Sequence, residues 1–272
     1  FGLTLAIMFP KLLFTLLAVT MGWKVGLGAA AVLLTALLYG FIFGWRRIVV
    51  RTATCRSTLL PDDFDGYRIV HLSDLHIGTF LRNPAFIDSL ADAVNGQHPD
   101  MVVFTGDLVN VSAIELLPFR KTLSAISAPD GVYSVMGNHD YCEYIPVKTE
   151  KNIEKNQTVL KYLEGKIGWK LLLNDNCVIR RGNDSIVVAG MEFEGESPRV
   201  PSFGNLKKTL HGVNQKGAFI LMLQHDPTSW RTDILPHSTS QLTLSGHTHA
   251  GQMKFFGWSP ASLKYDEWGG LY

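Results

Sequence analysis

The sequence predicts an α/β domain preceded by transmembrane helices. Three observations lead there. From Tyr67 onward, apolar runs of strand length alternate with helix-like stretches, the pattern of strand–helix units. The runs are rich in Val and Ile and do not alternate with polar residues, as expected of strands buried on both faces. Residues 1–45 are almost entirely apolar, whereas the composition from about Gly66 is that of an ordinary soluble domain.

The elements follow in order. Val25–Trp45, "VGLGAAAVLLTALLYGFIFGW", carries no charge over 21 residues. A helix needs roughly 20 residues to cross a bilayer core of ~30 Å, so this stretch is predicted to span. Trp23, Tyr39 and Trp45 fall where interfacial aromatic residues sit. A second span is expected within residues 1–21, interrupted by Pro10 and Lys11. Residues 46–65 read as a basic juxtamembrane linker with Arg46, Arg47, Arg51 and Arg56, against Lys24 alone before the span. That excess of arginine predicts an integral membrane protein whose following domain lies on the cytoplasmic face. The chain starts at Phe1 and stops at "EWGGLY", and both ends read as truncations of a longer protein.

Residues 66–272 carry the repeated rhythm. "YRIVHL", "MVVFT" and "GVYSVM" are predicted strands, followed by helices over Pro84–Val94, Ile114–Ile126 and Thr149–Glu164. Pro84 suits a first helical turn. "KLLL", "CVIRR" and "SIVVAGM" add strands around the turn signals Asn174-Asp175 and Gly182-Asn183. A short helix near Asn205–Leu210 and the strands "AFILMLQ" and "SQLTL" complete the series. The net charge of +1 and the lack of a basic stripe argue against a nucleic-acid partner. Cys55, Cys142 and Cys177 are odd in number and scattered, unlike a disulfide framework or a thiolate zinc site.

Five polar motifs stand at the C-terminal ends of predicted strands, the edge where open α/β sheets bind ligands. They are Ser73-Asp74-Leu75-His76, Gly106-Asp107, Gly137-Asn138-His139-Asp140, His225-Asp226-Pro227 and Ser245-Gly246-His247-Thr248-His249. Alone, each has an ordinary reading. Asp107 suits a helix N-cap, Asn138 a turn, and His76 or His225 a hydrogen-bonded loop. Together they read as a metal site with Asp74, His76, Asp107, Asn138, His225, His247 and His249 as ligands. His247 and His249, two positions apart, point the same way from an extended segment. With no thiolate in the set, imidazole and oxygen ligands suit a catalytic centre of zinc, manganese or iron. Seven ligands exceed the need of one tetrahedral ion. Two ions sharing a carboxylate, about 4 Å apart, are the arrangement used for in-line displacement at phosphorus.

"DLH", "GD", "GNHD", "H" and "GHTH", in this order, resemble the calcineurin-like metallophosphoesterase superfamily from about Tyr67 to Gln252. "HDP" and "GHTHAGQ" are most similar to its bacterial membrane-associated branch. The resemblance implies a four-layer αββα sandwich, with the strands after Lys170 largely in the second sheet. It implies that Asp74, His76 and His249 bind a first divalent ion, and that Asn138, His225 and His247 bind a second. Asp107 would bridge the two, and a water activated between them would be the nucleophile. His139 would protonate the leaving oxygen or stabilise the transition state, and Asp140 would hold its imidazole. Arg82 and Asn83 are candidates for contacting a substrate phosphate. The expected activity is hydrolysis of a phosphodiester, or of a monoester or pyrophosphate. The anchor suggests a phospholipid or a lipid-linked envelope precursor as substrate. The alternatives are a catalytically idle, metal-binding membrane scaffold or sensor, and a phosphoesterase acting on soluble nucleotides.

Overall fold

A computed structural model describes residues 2–44, 47–195, 202–252, 254 and 257–272. The chain divides into two compact units, Phe1–Thr52 with Gln252–Phe255, and Ala53–Gly251 with Phe256–Tyr272.

The first unit is a helical hairpin. Helix α1 runs over Gly2–Met21 and helix α2 over Trp23–Ile42. Gly22 separates them at φ 98°, a conformation that costs glycine little and other residues much. Gly26 lets the two backbones approach: a side chain there would stand 2.8 Å from the Ala18 nitrogen and from the Phe14 carbonyl. Ala6 and Leu37 are buried between the helices, while most of the other large apolar side chains face outward. Trp23–Ile42 is long and apolar enough to cross a membrane; Ala6–Met21 is a shorter apolar stretch. The helix thus begins two residues before the expected span and ends three before it. Gly22 sets the start, and the Phe43 N–H closes the last turn on the Tyr39 carbonyl at 2.9 Å. Trp45 and Arg46, used above for the interface and the charge bias, lie outside the described residues.

The second unit contains two four-stranded sheets. β1 (Ile69–Leu72), β2 (Met101–Phe104), β3 (Val132–Ser134) and β4 (Lys170–Leu171) lie side by side in chain order and all parallel. β5 (Asp175–Arg181) pairs antiparallel with β6 (Asp184–Gly190) through the Gly182 turn. β7 (Ile220–Leu223) and β8 (Leu242–Leu244) extend that sheet in parallel register. Every run expected to form a strand does so.

Alternation within each strand sorts side chains into layers. Met101 and Val103 of β2 meet Ile186, Val188, Leu221 and Leu223 of the second sheet, so the two sheets pack face to face. Val102 and Phe104 point the other way, into a core shared with α3 (Ala85–Asn95), α4 (Arg120–Ser124) and α5 (Glu150–Lys166). Val187, Ala189, Ile220 and Met222 cover the outer face of the second sheet beneath α6 (Leu206–Thr209) and Trp230. The architecture is therefore the αββα sandwich that the resemblance implies. β4 remains in the first sheet; the other strands after it form the second.

Helix ends follow local chemistry. The Thr149 side chain accepts the Asn152 N–H at the start of α5, and Asn205 accepts from Lys208 at α6. The single helix expected over Ile114–Ile126 is instead a 3-10 segment, Ala113–Phe119, followed by the short α4. A Ser112–Glu115 capping box starts it, and Pro118, inside it, rules out a continuous α-helix. Proline offers no N–H, and its ring crowds the carbonyl four residues earlier.

Candidate metal centre

The five motifs leave the ends of β1, β2, β3, β7 and β8, so both sheets feed one site. The loops are zipped to one another by backbone bonds. The Asp74 N–H donates to the Gly106 carbonyl at 2.9 Å, His76 N–H to Asp107 O at 3.0 Å, and Gly246 N–H to His225 O at 2.9 Å. Five of the candidate ligands sit in left-handed backbone: Asp74 (φ 54°), His76 (43°), Asp107 (58°), His247 (70°) and His249 (49°). Such conformations cost on the order of 1–3 kcal/mol each and cluster at functional sites. They turn each side chain inward immediately after an extended strand. Gly137 and Gly246 are required by proximity. A side chain at Gly137 would collide with the Asp107 carboxylate, and one at Gly246 with the Ser73 hydroxyl and the Asp74 carboxylate.

The inward side chains form two groups with a common member. Asp74, His76, Asp107 and His249 offer ligand atoms within 4.8 Å of one another, as do Asp107, His225 and His247. Asp107 Oδ2 lies 3.4 Å from His76 Nε2 and 3.3 Å from His225 Nε2, between the groups. In the first, His76 Nε2 and His249 Nε2 are 3.1 Å apart, and His249 Nε2 is 3.2 Å from Asp74 Oδ1. In the second, His247 Nδ1 is 3.3 Å from His225 Nε2. His225 Nδ1 donates to the Thr105 carbonyl at 2.7 Å, which leaves Nε2 as the nitrogen turned to the site.

Asn138 completes the picture in a different way. Its Nδ2 donates to the Tyr144 hydroxyl at 3.1 Å. Its Oδ1 is buried without a hydrogen-bond partner. An orphaned carbonyl oxygen in a buried site costs free energy unless a donor or a cation meets it. This oxygen, the converging imidazole nitrogens and the shared carboxylate fit divalent cations.

His139 lies beside the ligands. Its ring meets His76 edge-on with centroids 4.6 Å apart and stacks on Tyr144 at 4.4 Å. Its backbone N–H donates to Asp107 Oδ1 at 2.8 Å. Nδ1 donates to the Asn110 carbonyl at 2.6 Å, so Nε2 is the nitrogen open to chemistry.

The charges are balanced internally. Burial opposes a charge on His225, yet the Asp107 carboxylate outweighs it and pushes the imidazole up to about 9. Burial likewise opposes ionisation of Asp107, but His225 and then His139 hold it well below the usual carboxylate range. Burial lowers both His76 and His247, which favours the neutral, ligating form. Burial and the Asp107 charge push Asp140 up to about 7, against backbone donors that favour its anion.

Asp140 departs from its expected task. Its Oδ2 accepts the N–H groups of Asp107 and Gly137 at 2.7 and 2.9 Å, and its Oδ1 those of Leu108 and Val109 at 2.8 and 3.1 Å. The carboxylate therefore shapes the loops that carry Asp107 and Asn138. The His139 ring is held by the Asn110 carbonyl instead. Arg82 is exposed and Asn83 half-buried, on the turn that leads into α3. Neither makes a hydrogen bond to a candidate ligand among the described residues. Sequence reasoning did not single out Tyr144 or Tyr265, whose hydroxyl is 3.2 Å from His247 Nε2, or give a role to Asp226. Asp226 stands next to His225 and was legible as a carboxylate; the tyrosines belong to no motif.

A family model described as calcineurin-like phosphoesterase matches residues 67–251. A Danio rerio protein named transmembrane protein with metallophosphoesterase domain is 30% identical over 82% of this chain and 50% of its own length. An uncharacterised metallophosphoesterase of Campylobacter jejuni is 31% identical over 71% of this chain and 47% of its own. Another, from Helicobacter pylori, is 30% identical over 80% and 54%. The chain thus spans about half the length of these curated relatives.

Proposed function

Because the chain belongs to the calcineurin-like phosphoesterase family, we propose that it hydrolyses a phosphoester at a centre of two divalent cations. The observation that carries this reading is Asp107 Oδ2, set 3.4 and 3.3 Å from one imidazole nitrogen of each ligand group. Asp74, His76 and His249 would hold one ion, and Asn138, His225 and His247 the other, with Asp107 shared. Manganese, zinc and iron all suit these donors. When bound, such ions lower the pKa of water and neutralise charge on the phosphoryl group.

The chain's own residues supply the rest. The Asn110 carbonyl keeps the Nδ1 proton of His139 in both protonation states. In the imidazolium form, Nε2–H is the proton that passes to the leaving oxygen. Tyr144 stacks on the ring and holds the Asn138 amide by its Nδ2, which leaves Oδ1 free to meet a cation. Asp140 keeps its four backbone N–H groups in place and with them the spacing of Asp107 and Asn138. Arg82 and Asn83 contact the phosphate of the bound substrate.

The Trp23–Ile42 helix anchors the protein in a bilayer, with residues 2–21 as a second apolar segment. Arg46, Arg47, Arg51 and Arg56 support a cytoplasmic position for the catalytic domain. The name of the Danio rerio relative supports an anchored arrangement. A substrate held at the membrane, a phospholipid or lipid-linked phosphoester, follows from that location.

The test is hydrolysis of bis-p-nitrophenyl phosphate by the full chain, metal-free and with added manganese, zinc or iron. A screen of monoesters, nucleotides and lipid phosphates would accompany it. Metal-dependent turnover is expected. No turnover on any phosphoester by protein carrying its full complement of ions would overturn the enzymatic reading and favour an idle scaffold. A preference for soluble nucleotides would overturn the lipid assignment alone.

A further inference from the structure

The family match ends at residue 251, yet the chain beyond it returns to the site. Thr248 Oγ1 donates to the Trp268 carbonyl at 2.7 Å, and the Ser259 hydroxyl donates to the Ala250 carbonyl. Glu267 is buried and pairs with Arg231, from the segment after β7. These ties bring Tyr265 against His247. Its hydroxyl is 3.2 Å from Nε2, with the two rings edge-on at 5.7 Å. Lys264 Nζ donates to the same hydroxyl at 2.7 Å, and the Tyr265 N–H donates to the Ala261 carbonyl at 2.8 Å.

His247 Nε2 has a second neighbour, Asp226 Oδ2, at 3.4 Å. Asp226 is itself fixed: its Oδ1 accepts from the Thr228 N–H at 3.0 Å and from the Thr228 hydroxyl at 2.8 Å. An imidazole that ligates through one nitrogen must carry its proton on the other. His247 turns Nδ1 toward His225 Nε2, at 3.3 Å. Nε2 then carries the proton, and the oxygens within reach among the described residues are those of Asp226 and Tyr265. Such outer contacts orient a ligand, fix its tautomer and raise its basicity.

We propose that the segment 259–268 is a working part of the metal centre, and that Tyr265, with Asp226, is a positioning residue that sets His247 for ligation through Nδ1. The proposal rests on the two-cation reading above. It goes beyond it by giving the second ion a determinant outside the family region, one that the first ion lacks among the described residues.

The experiment is a cobalt(II) titration of the metal-free full chain, followed by visible absorption, with manganese competition. It compares wild type with Tyr265→Phe and with Thr248→Val, which releases the Trp268 tie without altering the His247 ring. Thermal melting of each metal-free protein runs alongside. Two cobalt ions are expected per wild-type chain. Tyr265→Phe should weaken one of them by about 10–100-fold and change its spectrum, leaving the other and the melting temperature unchanged. Thr248→Val should shift the same ion in the same direction. Equal, wild-type affinities for both ions in Tyr265→Phe would overturn the proposal. So would weakening of both ions together with a lower melting temperature, which would mark a general structural role. Fewer than two ions in wild type would instead overturn the two-cation reading itself.

Discussion

Asp140→Asn separates two accounts of one carboxylate. If Asp140 served to orient His139, its amide would alter the pH dependence of turnover and leave folding nearly intact. The geometry gives the opposite expectation. Each carboxylate oxygen accepts two backbone N–H groups, those of Asp107 and Gly137 on one and of Leu108 and Val109 on the other. An amide keeps one oxygen. Its NH2 group must face the remaining two N–H groups, which lose their acceptor in a site where Asp140 is 1% exposed. A buried donor left unsatisfied costs roughly 1–3 kcal/mol. Two therefore cost about 2–6 kcal/mol, a large share of the 5–15 kcal/mol typical of a whole domain. Urea unfolding of the metal-free protein measures this directly, and elemental analysis reports the expected loss of bound metal. A variant within about 1 kcal/mol of wild type, with full metal content and an altered pH–rate profile, would refute the reasoning.

Other expectations follow from the same geometry. Asp107→Ala should lose metal from both halves of the centre; two ions retained per chain, by elemental analysis, would remove its bridging role. His139→Ala should keep its metals and lose about 10²–10⁴-fold in turnover of substrates with poor leaving groups, read from single-turnover kinetics. Glu164 is buried beneath β3 and accepts the Ser134 hydroxyl at 2.6 Å. Burial, then the Asp140 charge, push its carboxyl up from 4.5 to about 8. Between those values the folded state holds a proton that the unfolded state releases, so this contribution to stability is full below the lower value and lost as pH rises through the upper one. Glu164→Gln should flatten that decline, which approaches about 1.4 kcal/mol per pH unit; equal slopes in urea unfolding at pH 5 and 8 would contradict it.

The sheets were legible because their signal is local. Val102, Val103, Val187, Val188 and Leu221 belong to uninterrupted apolar runs, and each run is a strand. The candidate ligands were legible because they follow those runs immediately. The break at Pro118 was readable in principle, since the residue itself forbids a continuous helix. What could not be read is what depends on main-chain atoms or on distant segments. The group that orients His139 is a carbonyl, and every residue has one. The groups that donate to Asp140 are backbone N–H groups, equally anonymous in sequence. Tyr265 reaches His247 from 18 positions away, in a stretch beyond "GHTHAGQ" that contains no motif of its own.

The site's division between the sheets has a mechanical consequence. Asp74, His76, Asp107 and Asn138 hang from the first sheet, and His225, His247 and His249 from the second. Away from the site the sheets adhere mainly through apolar packing. Ions at this edge would act as rivets through both leaves, joining His76 to a partner 173 positions away. Ions that bind only the folded form shift the balance toward it. Chelation should therefore let the leaves part at this rim first. Limited proteolysis would then cut the loops around residues 74–76 and 247–249 before the strands behind them.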